Sequence, residues 1–392
     1  MNMFIPLSVP NLKGNELKYV SEAIESEWVS TGGEFINKFE KSIADYLGVK
    51  SAVACQSGTA GLHLALRVLG VGENDEVIVP TLTFIAAVNP VTYMGANPVF
   101  MDCDDSLCMD MEKVKMFCET SCEFVNGNLV NKITGRKVKA ILIVHVFGNM
   151  ANLEVAIDIA QKYNLKVIED ATEALGTYYT EGKYNGKYAG TIGDMGIYSF
   201  NGNKIITTGG GGMLVSNDIN LLDKAKYLST QAKDDAVNFI HNDIGYNYRM
   251  TNLQAAVGLA QLEQLETFIE IKKRNFHLYK DQIADIMGLT LLNFNTDIRP
   301  NYWFYSLYIK AEEYGHNKQE LIELLSKNNI QTRPIWGLIH LQKPYQICQT
   351  FKIEKALLYS DNILNIPCSS NLSTSDVLRV VTILKKGQKG RD

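Results

Sequence analysis

A lysine, Lys204, stands between the strand-like run 195–200 (MGIYSF) and four consecutive glycines at 209–212. A P-loop lysine follows its glycines and is itself followed by Ser or Thr. Lys204 precedes them and Ile205 follows it, so that nucleotide cradle is excluded. Lysine is a nucleophile only as the neutral amine, which its free pKa of about 10.4 makes scarce at pH 7. Burial beside other cations or a helix end, or storage of the amine as an imine with an aldehyde cofactor, removes that difficulty.

Three further features carry chemistry. In "QSGTAGLHLAL" (56–66), small residues make a turn and open a helix. The N–H groups of Gly58, Thr59 and Ala60, with the helix dipole behind them, suit a phosphate, although an ordinary helix cap reads the same way. In "VIEDATEALG" (167–176), Asp170 ends an apolar run, where a carboxylate needs a cationic partner: an arginine elsewhere, or a cationic ring nitrogen. In "PTLTFIA" (80–86), Phe84 follows a strand and is a core residue unless a planar ligand lies beside it. A phosphate cradle, an aromatic plate, a ring-nitrogen carboxylate and a strand-end lysine are the four parts that hold pyridoxal phosphate. Each is weak alone; their joint occurrence in this order is specific.

These residues need a sheet to position them. Short apolar runs at 51–55, 76–80, 97–104, 139–148, 166–171, 195–200 and 211–217 alternate with helical stretches. This pattern predicts a mostly parallel, seven-stranded sheet buried on both faces, its last two strands antiparallel. Before it, Phe35, Phe39, Ile43 and Leu47 fall at helical spacing, with Gly48 as a stop. Residues 124–140 read as a hairpin-like insertion, with turns at Asn126-Gly127 and Thr134-Gly135. From Thr251 one long helix is expected, followed by a small α+β region containing a helix with Asn317 and Glu320 as a cap pair. The expected domains are 1–264, large, and 265–392, small.

The chain has 392 residues, 46% hydrophobic and 21% charged, with net charge −5 and no basic block to bind nucleic acid or membrane. No apolar run approaches the roughly 18–20 residues of a spanning helix, and no signal peptide is visible. Seven cysteines without a CxxC pair point to reduced thiols in a cytoplasmic protein, and six scattered histidines give no metal site.

The motifs "SGTAGLHLAL", "PTLTFIAAVNPV", "IEDATEALG", "YSFNGNKIITTGGGGM" and "GYNYRMTNLQAA" identify a resemblance over nearly the whole chain. The sequence resembles the DegT/DnrJ/EryC1/StrS family of pyridoxal-phosphate-dependent sugar aminotransferases. The resemblance implies the fold-type-I aminotransferase architecture and a homodimer with active sites at the subunit interface. It implies that Lys204 forms the Schiff base with pyridoxal 5′-phosphate and shuttles the proton, and that Asp170 pairs with the ring nitrogen. By the same resemblance Phe84 stacks on the ring, while Thr59, Ala60 and Ser199 hold the phosphate. Asn247 would reach that phosphate from the partner subunit, with Arg249 near it. Glu173 stands where many relatives carry Gln or His near the cofactor's 3-hydroxyl. Within the family, "NGNLVNKITGRKVKA", "HVFGNM" and "RPNYWFYSL" look like the LegC-type branch. That branch aminates C4 of nucleotide-linked 4-keto-6-deoxy-N-acetylhexosamines with L-glutamate as donor. Tyr302, Trp303, His340 and Tyr345 are the candidates for the nucleotide-sugar pocket, each with core packing as the competing reading. Other expectations are a 3-keto or GDP-perosamine-type substrate, a scyllo-inosose, or a silent nucleotide-sugar-binding protein. The dehydratases of the family carry histidine in place of the lysine, so Lys204 argues against that chemistry.

Overall fold

The computed structural model describes residues 3–388. All seven apolar runs are strands of one sheet. Across it the order is Ser51–Cys55, Gly212–Ser216, Met195–Ser199, Lys166–Asp170, Lys137–Val144, Glu76–Pro80, Asn97–Met101. The inner strands pair in parallel, and Gly212–Ser216 runs antiparallel to both its neighbours. Residues such as Val77, Ile78, Ile141 and Leu142 are fully buried, because helices cover both faces. The sheet gains strands that the pattern of apolar runs does not show. Thr350–Phe351, far along the chain, adds in parallel to the Asn97–Met101 edge. The insertion forms a hairpin, Cys122–Val125 with Asn128–Asn131, whose turn residues Asn126 and Gly127 both have positive φ, 50° and 75°. That is the conformation an Asn-Gly hairpin turn requires.

The helix from Glu34 to Leu47 buries Phe35, Phe39, Ile43 and Leu47 and stops at Gly48 in the left-handed region, φ 65°. Thr251 caps its helix as expected: its hydroxyl accepts from the Gln254 N–H and its own N–H donates to the Gln254 side chain. The expected single long helix is two, Asn252–Leu262 and Leu265–Ile283. At the break, the Glu263 carboxylate accepts hydrogen bonds from Tyr19 of the first helix, Glu16–Glu25, and from its N-cap Asn15 (2.6 and 2.7 Å). This tertiary anchor has no local sequence signal.

The C-terminal region forms an antiparallel sheet ordered Leu289–Leu291, Tyr305–Ile309, Ile363–Ile366, Arg333–Pro334. Its helix Lys318–Lys327 starts with the Asn317/Glu320 capping box. Residues 5–7 lie against this region: Ile5 bonds to Asn329 and Gln331, and Leu7 accepts from the Cys368 N–H. That placement brings Leu7 and Ser8 to the edge of the main cleft. All seven cysteines are unpaired thiols, and only Cys348 is not buried. Burial pushes Cys55, Cys108, Cys118 and Cys122 up to about 12, which makes them inert. Among the described residues, no helix is long and apolar enough to cross a membrane.

Candidate active site

The carboxyl ends of the parallel strands open into a cleft of about 850 Å³, where open α/β sheets hold ligands. Strand Ser51–Cys55 delivers the turn at 57–59, Lys166–Asp170 delivers Asp170, and Met195–Ser199 delivers Ser199. Gln331, Arg333, Trp336 and Asn365 face them from the C-terminal region.

The turn is built by Ser57, which the sequence reading passed over. Its backbone is extended, φ −166° and ψ 163°, and its hydroxyl accepts from the Ala60 N–H at 3.1 Å. Ser57 is thus the N-cap of helix Gly58–Val68, and the rule that Ser precedes a helix start would have found it. Ala60 must be corrected accordingly. Its N–H is committed to Ser57 and it does not line the cleft. Gly58 and Thr59 do line it, and their N–H groups are the orphan donors of the helix start. Glycine is required opposite this turn: a Cβ on Gly212 would lie 2.6 Å from the Ser57 carbonyl and 2.8 Å from the Gly58 nitrogen. The last of the four glycines therefore lets its strand press against the anion-binding turn.

Asp170 is 3% exposed at the cleft floor and accepts from the Thr172 N–H at 3.0 Å. Burial raises its pKa above the usual carboxylate range, and the hydrogen bonds from Thr172 and the charge of Lys204 pull it back. Behind it, His145 is fully buried. Its Nδ1 accepts from the Ala151 N–H at 3.3 Å, which leaves Nε2 to donate to Glu169 at 2.9 Å. Glu173 is also buried; burial pushes its pKa up to about 7 against the opposing charge of Lys204. One Glu173 oxygen accepts from the Phe147 N–H at 2.8 Å and the other lies 3.6 Å from Lys204 Nζ. Phe84 is half exposed, at 54%, and its place in the cleft wall explains why so large an apolar ring is left uncovered. Ser199 lies at the end of its strand beside Gly58.

Trp303 lines the cleft. The structure places the other rim candidates outside its lining. Arg249 is buried in a pair with Glu40, and its second bond goes to the Ala54 carbonyl at 3.2 Å. This guanidinium satisfies buried acceptors behind strand Ser51–Cys55. Tyr345 is 3% exposed and donates to Asn89 at 2.6 Å, with its ring edge-on to Phe100. His340 shares a 2.6 Å bond with Thr81 and lies outside the cleft lining. Tyr302 packs among Phe276 and Phe294. Asn247 is exposed and bridges to Thr230, away from this chain's own cleft.

The residues brought together fit pyridoxal 5′-phosphate. Two orphan N–H groups and a serine hydroxyl suit its phosphate, a buried carboxylate suits its ring nitrogen, an uncovered ring suits its face, and a lysine amine suits its aldehyde. The fold and site together define a pyridoxal-phosphate-dependent aminotransferase. The particular family follows from comparison with known proteins: residues 10–385 match the DegT/DnrJ/EryC1/StrS aminotransferase family, and the chain belongs to it. It is 37% identical to a GDP-perosamine synthase of Caulobacter vibrioides over 97% of each chain. It is 38% identical to a GDP-perosamine synthase of Escherichia coli O157:H7 over 96% of each. Among solved structures, a DegT DnrJ EryC1 StrS aminotransferase from Brucella abortus superposes with a TM-score of 0.86 at 26% identity, covering 96% of this chain and 95% of the other.

Proposed function

We propose that this enzyme transfers the amino group of L-glutamate to C4 of a nucleotide-linked 4-keto-6-deoxyhexose, giving a product of the GDP-perosamine type. The convergence of Lys204, Asp170 and the 57–59 turn on one cleft carries the aminotransferase half of this reading. The two GDP-perosamine synthases above, similar over nearly their whole length, support the sugar. They favour it over the N-acetylhexosamine expected from the LegC-like segments, which stands second.

When bound, pyridoxal phosphate supplies an electron sink that stabilises negative charge on the carbon losing its proton. The chain's residues do the rest. The N–H groups of Gly58 and Thr59 and the Ser199 hydroxyl hold the phosphate. Asp170 keeps the ring nitrogen protonated, and Phe84 holds the ring face. Lys204 Nζ takes the proton from the donor's Cα in one half-reaction and delivers a proton to C4 of the sugar in the other. Glu173 lies beside Lys204, near where the cofactor's 3-hydroxyl is expected. A second copy of the chain completes the site by bringing its Asn247 to the phosphate, which accounts for that residue's exposure here.

The test is the visible spectrum of the purified holoenzyme. Glutamate should bleach the yellow band, and GDP-4-keto-6-deoxymannose should restore it. Restoration by UDP-2-acetamido-4-keto-2,6-dideoxyglucose alone would replace the perosamine-type reading with the N-acetylhexosamine one. Restoration by neither would overturn the assignment of a 4-keto-6-deoxyhexose.

A further inference from the structure

Lys204 must exist in two conditions during the reaction: bonded to the cofactor, and free while the amino group is carried by it. The free ammonium needs somewhere to sit that neither blocks the substrate nor loses the amine to solvent. We propose that Trp303 and Glu173 form a two-sided seat for the free Lys204 ammonium, one aromatic wall and one carboxylate. This inference rests on the aminotransferase assignment but not on which sugar is used.

Four observations carry it. Lys204 Nζ lies 4.2 Å from the centroid of the Trp303 indole, within cation–π range of the ring type that binds cations best. On another side, Glu173 lies 3.6 Å from the same nitrogen. Both walls are desolvated, Trp303 at 3% exposed and Glu173 at 4%, where such contacts are strongest. Finally, the walls are held by the chain's own hydrogen bonds. The indole N–H donates to the carbonyl of Asn203, the residue preceding the lysine, at 2.8 Å. Asn301, wholly buried, ties the two walls together: its amide donates to the Glu173 and Leu175 carbonyls and its oxygen accepts from the Trp303 N–H, each at 2.9 Å. Among the described residues that line the cleft, the one other carboxylate is Asp170, which the cofactor's ring nitrogen would neutralise when bound. Trp303 and Glu173 are therefore positioning residues for the lysine, a role for Trp303 beside the sugar contact expected from the sequence.

The experiment uses the apoenzyme, prepared by removing the cofactor, so that its outcome does not depend on turnover. Acylation of Lys204 is followed by mass spectrometry as a function of pH in wild type, Trp303→Leu, Trp303→Phe and Glu173→Gln. Losing either wall destabilises the ammonium, so the labelling midpoint should move to lower pH. For Trp303→Leu the expected shift is about one unit, a tenfold change in the ammonium-to-amine ratio. Trp303→Phe, which keeps an aromatic face and tests the seat even if the leucine variant folds poorly, should recover about half of it. Midpoints unchanged in Trp303→Phe and Glu173→Gln would overturn the seat. The failure is separable from that of the enzyme assignment, because the yellow band of the reconstituted protein reports the latter alone.

Discussion

The two walls of the cleft are made differently. The sheet wall presents Asp170 and Ser199 from the ends of five-residue strands flanked on both sides by hydrogen-bonded neighbours, and the 57–59 turn from the five-residue edge strand Ser51–Cys55. The opposite wall presents Gln331, Arg333, Trp336 and Asn365, and its Arg333–Pro334 strand is two residues long at a sheet edge. Groups that must meet the cofactor within a fraction of an ångström are on the rigid wall. On the facing wall, Arg333 lies on that short edge strand and Gln331 and Trp336 on the loops beside it, positions that tolerate change, while Asn365 lies on the inner strand Ile363–Ile366.

The most severe way to break this contrast is at the sheet wall. Lys204→Ala should cut aminotransfer by at least about 10³-fold, because it removes both the amine that bonds the cofactor and the proton carrier. The yellow band should vanish while the circular dichroism spectrum is unchanged. Full turnover in this variant would sink the assignment of Lys204. Behind the same wall, Arg249→Ala should be nearly as damaging for a different reason. It leaves Glu40 buried without its cation, a loss of about 3–5 kcal/mol of stability. Urea denaturation should show the midpoint falling, and the surviving folded fraction should still bind cofactor.

The sheet wall also carries a cost that a pH series exposes. Glu173 is raised to about 7 by burial, so the folded state holds its proton more tightly than the unfolded chain does. Its favourable contribution is complete below the unfolded value of about 4.3 and is lost as pH rises through about 7. Glu173→Gln cannot ionise and escapes that loss. The apoenzyme variant should therefore be more stable than wild type by about 1–3 kcal/mol at pH 8, and nearly equal at pH 4.5. A gain of the same size at both pH values would mean that packing, not a buried charge, separates the two proteins.

The contrast also explains what the sequence made legible. Asp170, Phe84 and Lys204 were readable because each is an anomaly in a local pattern: a carboxylate ending an apolar run, an aromatic ring past a strand, a lysine before glycines. The seven central strands were readable because burial on both faces writes continuous apolar runs. Asn301 was not, because its four bonds go to residues more than 120 positions away or two along in a loop, and no periodicity marks it. The break after Leu262 was hidden for the same reason, since Glu263 is held by the first helix and not by any local breaker. His340 and Tyr345 could be placed near the cleft by resemblance, but which aromatic and basic residues of 333–345 face it depends on tertiary packing. Trp336 does, whereas His340 and Tyr345 do not.

The smallest expected effect tests that last distinction. Tyr345→Phe removes only the hydroxyl that donates to Asn89 and keeps the ring against Phe100. The Asn89 oxygen then loses a partner in a mostly buried setting, which costs about 1 kcal/mol. Because Tyr345 lies outside the cleft lining, KM for the ketosugar should stay within about twofold of wild type. The two readouts move oppositely under the rival reading. If the hydroxyl met the sugar, stability would hold and KM would rise by about tenfold, the usual consequence of losing a hydrogen bond made equally to substrate and transition state. A modest drop in the denaturation midpoint with KM unchanged therefore places Tyr345 among the supports of the wall, and the reverse pattern returns it to the pocket.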